Sequence, residues 1–87
     1  MHERALMQDL MRAIALAVLE AGAERVRAVH VRVGALSHFT ADHFREHFRD
    51  ASQGTVADGA RVEVEVGEDI TAPDAQGVTL LRLELVD

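Results

Sequence analysis

Among its 87 residues the chain has no cysteine, lysine, tryptophan or tyrosine, and Pro73 is its single proline. Each absence removes a class of function. Without cysteine there is no disulfide, no zinc ribbon and no thiol nucleophile. Lacking Trp and Tyr, and holding only three Phe, the chain has no broad stacking surface, and its core has to be built from Val, Leu, Ala and Met. Fifteen acidic residues against nine arginines leave a net charge of −6, which provides no basic field for a phosphate backbone, so nucleic acid is not an expected partner. No apolar run approaches the roughly eighteen residues of a membrane span, and no basic-then-apolar leader pattern opens the chain. A soluble cytoplasmic protein is therefore expected, without membrane association.

What is present reads as one domain spanning residues 1–87. From Arg4 to Ala21, the residues Leu6, Met7, Leu10, Met11, Ile14, Ala17, Val18 and Ala21 recur every three or four positions, the stripe of a helix that faces a core. Gly22 is placed to end it. Val29, Val31 and Val33 then alternate with Ala28, His30 and Arg32, which predicts a strand with one buried and one wet face, closed by Gly34. Thr40 is a suitable N-cap for a second helix whose inner face is Phe44, Phe48 and Ala51 and which ends near Gly54. Beyond Asp58-Gly59, Val62, Val64 and Val66 alternate with Arg61, Glu63 and Glu65. A last alternation sets Leu81, Leu83 and Leu85 against Leu80, Arg82 and Glu84. The expected fold is a two-layer α+β sandwich, two helices on a three-stranded sheet in the order α-β-α-β-β. Its outer sheet face, with Arg32, Arg61 and Arg82 beside Glu63, Glu65 and Glu84, predicts solvated cross-strand ion pairs.

Chemistry rests on the histidines His2, His30, His38, His43 and His47. In Met1-His2-Glu3, an α-amine, a backbone amide and an imidazole can wrap one small cation in fused chelate rings, a nickel- or copper-type donor set. His30 falls on the polar side of its strand and is expected to be exposed. His43 and His47 stand at i and i+4, where two imidazoles can share a cation on one helix face, although a packed or solvated pair is the commoner outcome. In His43-Phe44-Arg45-Glu46-His47 the glutamate adjoins the second histidine, unlike a zinc-protease helix. Ser37-His38 lacks a third group to orient a nucleophile and base, and the glycines lack phosphate-loop spacing. An enzyme is not expected.

Three separated blocks carry a family likeness: Met1-His2-Glu3 with Leu6, then Val31-Arg32-Val33-Gly34-Ala35-Leu36-Ser37-His38-Phe39, and Gly54-Thr55-Val56-Ala57-Asp58-Gly59-Ala60. In these blocks, and from Met1 to about Val66 overall, the chain resembles the HypA/HybF family of hydrogenase-maturation nickel metallochaperones. The resemblance implies that Ni(II) is accepted at the N-terminus and passed, with a HypB-type maturation GTPase, to the large subunit of a [NiFe]-hydrogenase, or in some organisms toward urease. By the same resemblance the metal site maps onto His2, through imidazole and main-chain nitrogen, and Glu3, through main-chain nitrogen and its carboxylate. The Met1 α-amine is a further donor.

Typical members of that family insert a zinc-binding domain with two Cys-x-x-Cys pairs before the final strand. Here a short loop at about 68–77 spans that position without cysteine, so the chain resembles a reduced member in which no zinc is expected. His38 then becomes a substitute ligand. The alternative reading is a zinc-free protein-interaction module of the maturation machinery with weak or no nickel binding, and a third is service to another metal. Homodimerisation is left open.

Overall fold

A computed structural model of the chain describes residues 2–37 and 39–87, with His2 and Glu3 described through their helical backbone. The element order is α1 (His2–Ala21), β1 (Arg25–Val33), α2 (Ala41–Ser52), β2 (Arg61–Val66) and β3 (Val78–Val86). The α-β-α-β-β sandwich of two helices and a three-stranded sheet is thus the observed fold. In space the strands run β2-β1-β3, with β1 parallel to β2 and antiparallel to β3. A parallel pair needs a crossover, and α2 supplies it between β1 and β2.

The helices end where local chemistry stops them. At the end of α1, Gly22 adopts φ +68°, its N–H donates to Leu19 O at 3.2 Å, and the Ala23 N–H donates to Val18 O at 3.1 Å. This doubly bonded Schellman turn satisfies two otherwise orphaned carbonyls. For α2, Thr40 Oγ1 accepts the His43 N–H at 3.1 Å, and Asp42 sits in the positively polarised first turn.

The core lies between one sheet face and both helices. Met7, Leu10, Ile14 and Val18 from α1 meet Phe44 and Phe48 from α2 over Val26, Val29, Val31 and Val33 of the central strand. Helix α1 packs over β3 and α2 over β2, while the helices also touch each other. The expected inner stripes of α1 and α2 are therefore in place, with Phe44 and Phe48 each 1 % exposed, except at the end of α1, where Ala21 is exposed.

Three expectations about the strands need correction. First, the last strand does not keep a single alternation. Val29 pairs with Leu83 and His30 with Arg82, yet Val31 pairs with Leu80, so Leu81 is an extra residue on β3. Such a bulge moves the side-chain phase by one. Leu80 consequently joins the core beside Leu83 and Leu85, and Leu81 turns out to solvent at 41 % exposure. Second, β1 carries the complementary irregularity: Val26 pairs with Leu85 and Ala28 with Glu84, leaving Arg27 as the extra residue. This lets Val26 and Val29, three apart, both enter the core. The supposed wet face is also partly closed, because Ala28 is fully buried between its register partners Arg61 and Glu84, whose side chains bridge at 3.2 Å. Third, Val66 is 52 % exposed at the end of edge strand β2, where the inward face runs out of covering helix.

The loop between β2 and β3 is fastened to the end of β1. Gly34 N–H donates to Gly77 O at 2.8 Å and Leu36 N–H to Ala75 O at 2.6 Å, and Ala75 is buried. A side chain at position 34 would meet the carbonyl oxygens of Asp74 and Ala75. Gly34 is thus required by a close backbone approach, not by its φ. Within the same loop, Asp69 is held below the usual carboxylate range by hydrogen bonds from the Thr71 hydroxyl and N–H, and Asp74 by the Thr79 hydroxyl.

Candidate metal site

Helix α1 begins at His2, so His2 and Glu3 occupy its first turn. The leading N–H groups of an α-helix have no partner inside the helix, which leaves main-chain nitrogens there uncommitted to the helical ladder. Met1 and His38, both candidate ligands from the sequence, lie outside the described residues. The side-chain donors of His2 and Glu3 lie outside them as well.

Downstream of this terminus an open cleft runs between the helices, lined by Arg4, Met7, Gln8, Met11 and Arg12 of α1 and by His47, Asp50 and Ala51 of α2. The first three turns of α1 thus border the same cleft as His47. At its α2 side, His43 Nε2 and His47 Nε2 are 2.9 Å apart, with ring centroids at 4.5 Å. Phe39 buttresses both rings, its centroid 5.9 Å from His43 and 6.1 Å from His47, and it meets Phe44 edge-on at 5.7 Å. Since Phe44 is locked in the core, the wall behind the two imidazoles is fixed. Among the described residues, no three or more His, Asp or Glu side chains converge as a metal cluster.

His30 is placed differently from its expected exposure. It is half-buried on the outer sheet face, where its Nε2 lies 2.9 Å from Glu84 Oε2. Arg61 and Arg82 reach the same oxygen at 3.2 and 3.1 Å. Arg82 also lies 3.1 Å from His30 Nε2, but a guanidinium only donates, so the short contact to Glu84 is the one that Nε2–H serves. The hydrogen bond from His30 is the main reason the Glu84 carboxyl is held below its ordinary value, with the two arginines adding to it against partial desolvation. Nearby, Arg32 and Glu65 pair at 2.7 Å, which raises the guanidinium further. These are the cross-strand ion pairs that the alternation of Arg and Glu predicted.

Ser37 has a structural assignment. Its Oγ donates to Gly34 O at 2.8 Å and accepts from the Phe39 N–H at 3.4 Å, closing the turn that leads into α2. Every buried side-chain N or O among the described residues has a partner. The Phe39 support of the histidine pair was not legible in the sequence, because Phe39 is outside the helical repeat. Only its position one residue before the N-cap hinted at a staple.

Comparison with known proteins gives the chain a family. Residues 1–72 match the family model described as "Hydrogenase/urease nickel incorporation, metallochaperone, hypA". Proteins named hydrogenase maturation factor HypA are similar to the chain over 64 to 66 residues. That of Chloroflexus aurantiacus is 38% identical, covering 75% of this chain and 57% of its own length. The Roseiflexus sp. protein is 40% identical, covering 75% and 53%, and the Archaeoglobus fulgidus protein 35%, covering 76% and 60%. The chain thus spans a little over half the length of the curated relatives it matches. With the family model covering most of the chain from its first residue onward, this protein belongs to the HypA family.

Proposed function

We propose that this chain is a nickel carrier, not a catalyst, which binds Ni(II) through the His2 imidazole, the main-chain nitrogens of His2 and Glu3 and the Met1 α-amine. Delivery is toward a [NiFe]-hydrogenase large subunit with a HypB-type GTPase, and urease is a further client. The observation that carries this reading is the family match beginning at Met1, with Met1-His2-Glu3 as its opening residues. Supporting it is the start of α1 at His2, where main-chain nitrogens have no intrahelical partner. The positive end of the helix dipole opposes a bare cation there, and ionisation of a ligating amide offsets that penalty. Coordination displaces protons, so affinity falls as pH drops. A site at a chain end loads and releases without opening a core, which suits a carrier.

No helix among the described residues is long and apolar enough to cross a membrane, which agrees with a cytoplasmic carrier. We place the family's zinc-domain position at the loop of residues 68–77, here without a zinc site, and read His38 as an auxiliary ligand. Calorimetric nickel titration of the untagged chain tests the reading. His2→Ala is expected to remove one equivalent of bound nickel and leave the core amide NMR spectrum in place. Unchanged stoichiometry and affinity in His2→Ala would overturn it.

A second reading, a protein-interaction module with little nickel affinity, draws on β3. This nine-residue strand is an edge with Leu81 turned outward, a geometry open to strand addition or to a homodimer. Absence of nickel binding by the untagged chain, together with partner capture that Leu81→Lys abolishes, would favour it.

A further inference from the structure

The geometry points to a second cation site, on α2: we propose that His43 and His47 chelate a divalent cation of the nickel–copper type through their Nε2 atoms. Three observations meet here. The spacing is i, i+4, which stacks both rings on one helix face. The two Nε2 atoms converge to 2.9 Å. Two imidazole nitrogens bound cis at a right angle, each about 2.0–2.1 Å from a metal, stand about 2.9 Å apart, whereas tetrahedral angles spread them to about 3.3–3.4 Å. The hydrogen bond now sets this separation, and a cis right-angle pair, the arrangement of a square-planar or octahedral ion, is reached with little change in it.

The third observation is the support behind the rings. Phe39 lies against both imidazoles, and Thr40 caps α2 at the His43 main-chain N–H, which fixes the backbone that carries the pair. His43 is solvent-exposed and His47 half-buried at the mouth of the interhelical cleft, which gives a cation access. Without metal, one ring holds a hydrogen between the two Nε2 atoms. Chelation needs both Nε2 lone pairs, so that ring takes its Nδ1–H tautomer and stays neutral, and the metal replaces the hydrogen as the bridge. The pair fills two coordination positions. The rest remain for water or for a further donor; in the cleft, Arg12 pairs with Asp9 at 3.2 Å, and Asp50 lines the α2 side.

The test uses the full, untagged chain carrying His2→Ala, with NiCl₂ as the probe. Calorimetry is expected to show one remaining equivalent of Ni(II), and histidine ring NMR signals of His43 and His47 should shift or broaden while those of His30 do not. Adding His43→Gln, a change at an exposed position, should weaken that binding at least tenfold with the amide spectrum unchanged. Ni(II) affinity that survives His43→Gln and His47→Gln, ring signals that stay put at saturation, or no binding at all in the His2→Ala chain would overturn the proposal. Loss of the first equivalent with His2→Ala is a separate reading, so failure at either site is seen without the other.

Discussion

On the outer face of the sheet His30 meets a carboxylate, while on α2 His43 meets another imidazole. Both contacts are 2.9 Å long, yet they leave different chemistry behind. At His30, Glu84 accepts the ring hydrogen and is itself shared by Arg61 and Arg82, so the nitrogen sits inside a charge-balanced cluster over buried Ala28. Between His43 and His47 one Nε2–H donates to the other Nε2, so the two ring nitrogens face each other. Identity of the residue therefore does not make a metal ligand. What differs is the partner of Nε2: at His30 it is the Glu84 carboxylate, and on α2 it is a second imidazole nitrogen facing the first.

The helix side of this contrast depends on its aromatic anchor, and the largest effect is expected there. Phe44→Ala removes a ring that is 1 % exposed and in edge contact with Phe39, so a loss of about 3–5 kcal/mol in urea unfolding is expected. In the folded fraction the His43 and His47 ring signals should become averaged while His30 stays sharp. If both sites loosen together, the two regions are not separately supported. Next in size is Thr40→Ala, which deletes the cap accepting the His43 N–H and is expected to cost about 1 kcal/mol. Amide exchange should accelerate in the first turn of α2 and remain unchanged at Ala28 and His30 on β1. Protection lost equally across the sheet would break the comparison.

Much of the helix region was legible in the sequence, and less of the sheet was. Helical stripes repeat over many residues, so Ile14, Val18, Phe44 and Phe48 declared their faces, and Thr40 and Gly22 announced the ends through cap chemistry. A strand shows only a two-residue repeat, and one inserted residue reverses it. Leu80 and Leu81 are adjacent leucines with no local cue for which one packs inward; the bulge opposite His30 and Val31 decides, and that is a property of the pairing. The alternation likewise puts Ala28 on a wet face, since its burial comes from Arg61 and Glu84, distant in sequence. As for the sites, the i, i+4 spacing of His43 and His47 was visible, but their convergence against Phe39 was not. The Met1-His2-Glu3 assignment rests on family likeness, since neither Met1 nor the side chains of His2 and Glu3 fall among the described residues.

The smallest effect is expected on the sheet side, from Glu84→Gln, and its pH dependence is the sharper measurement. The Glu84 carboxyl lies below its ordinary value in the folded protein, first because of the His30 hydrogen bond and then because of Arg61 and Arg82. A folded carboxyl with a lowered pKa binds fewer protons than the unfolded one in the window between the two values, so acid favours unfolding. The stabilisation from Glu84 is thus complete above the unfolded glutamate pKa and disappears as pH falls through the lowered folded one. Glu84→Gln keeps the shape and one acceptor but not the charge. Its urea midpoint should fall below that of the parent protein at neutral pH, and the two midpoints should converge on acidification. Nickel stoichiometry is expected to be the same in both proteins throughout, because His30 Nε2 is engaged by Glu84 in the carboxylate cluster. A gap that persists below the folded pKa would show that Glu84 acts through packing over Ala28, and a change in bound nickel would assign His30 to the metal chemistry that the comparison denies it.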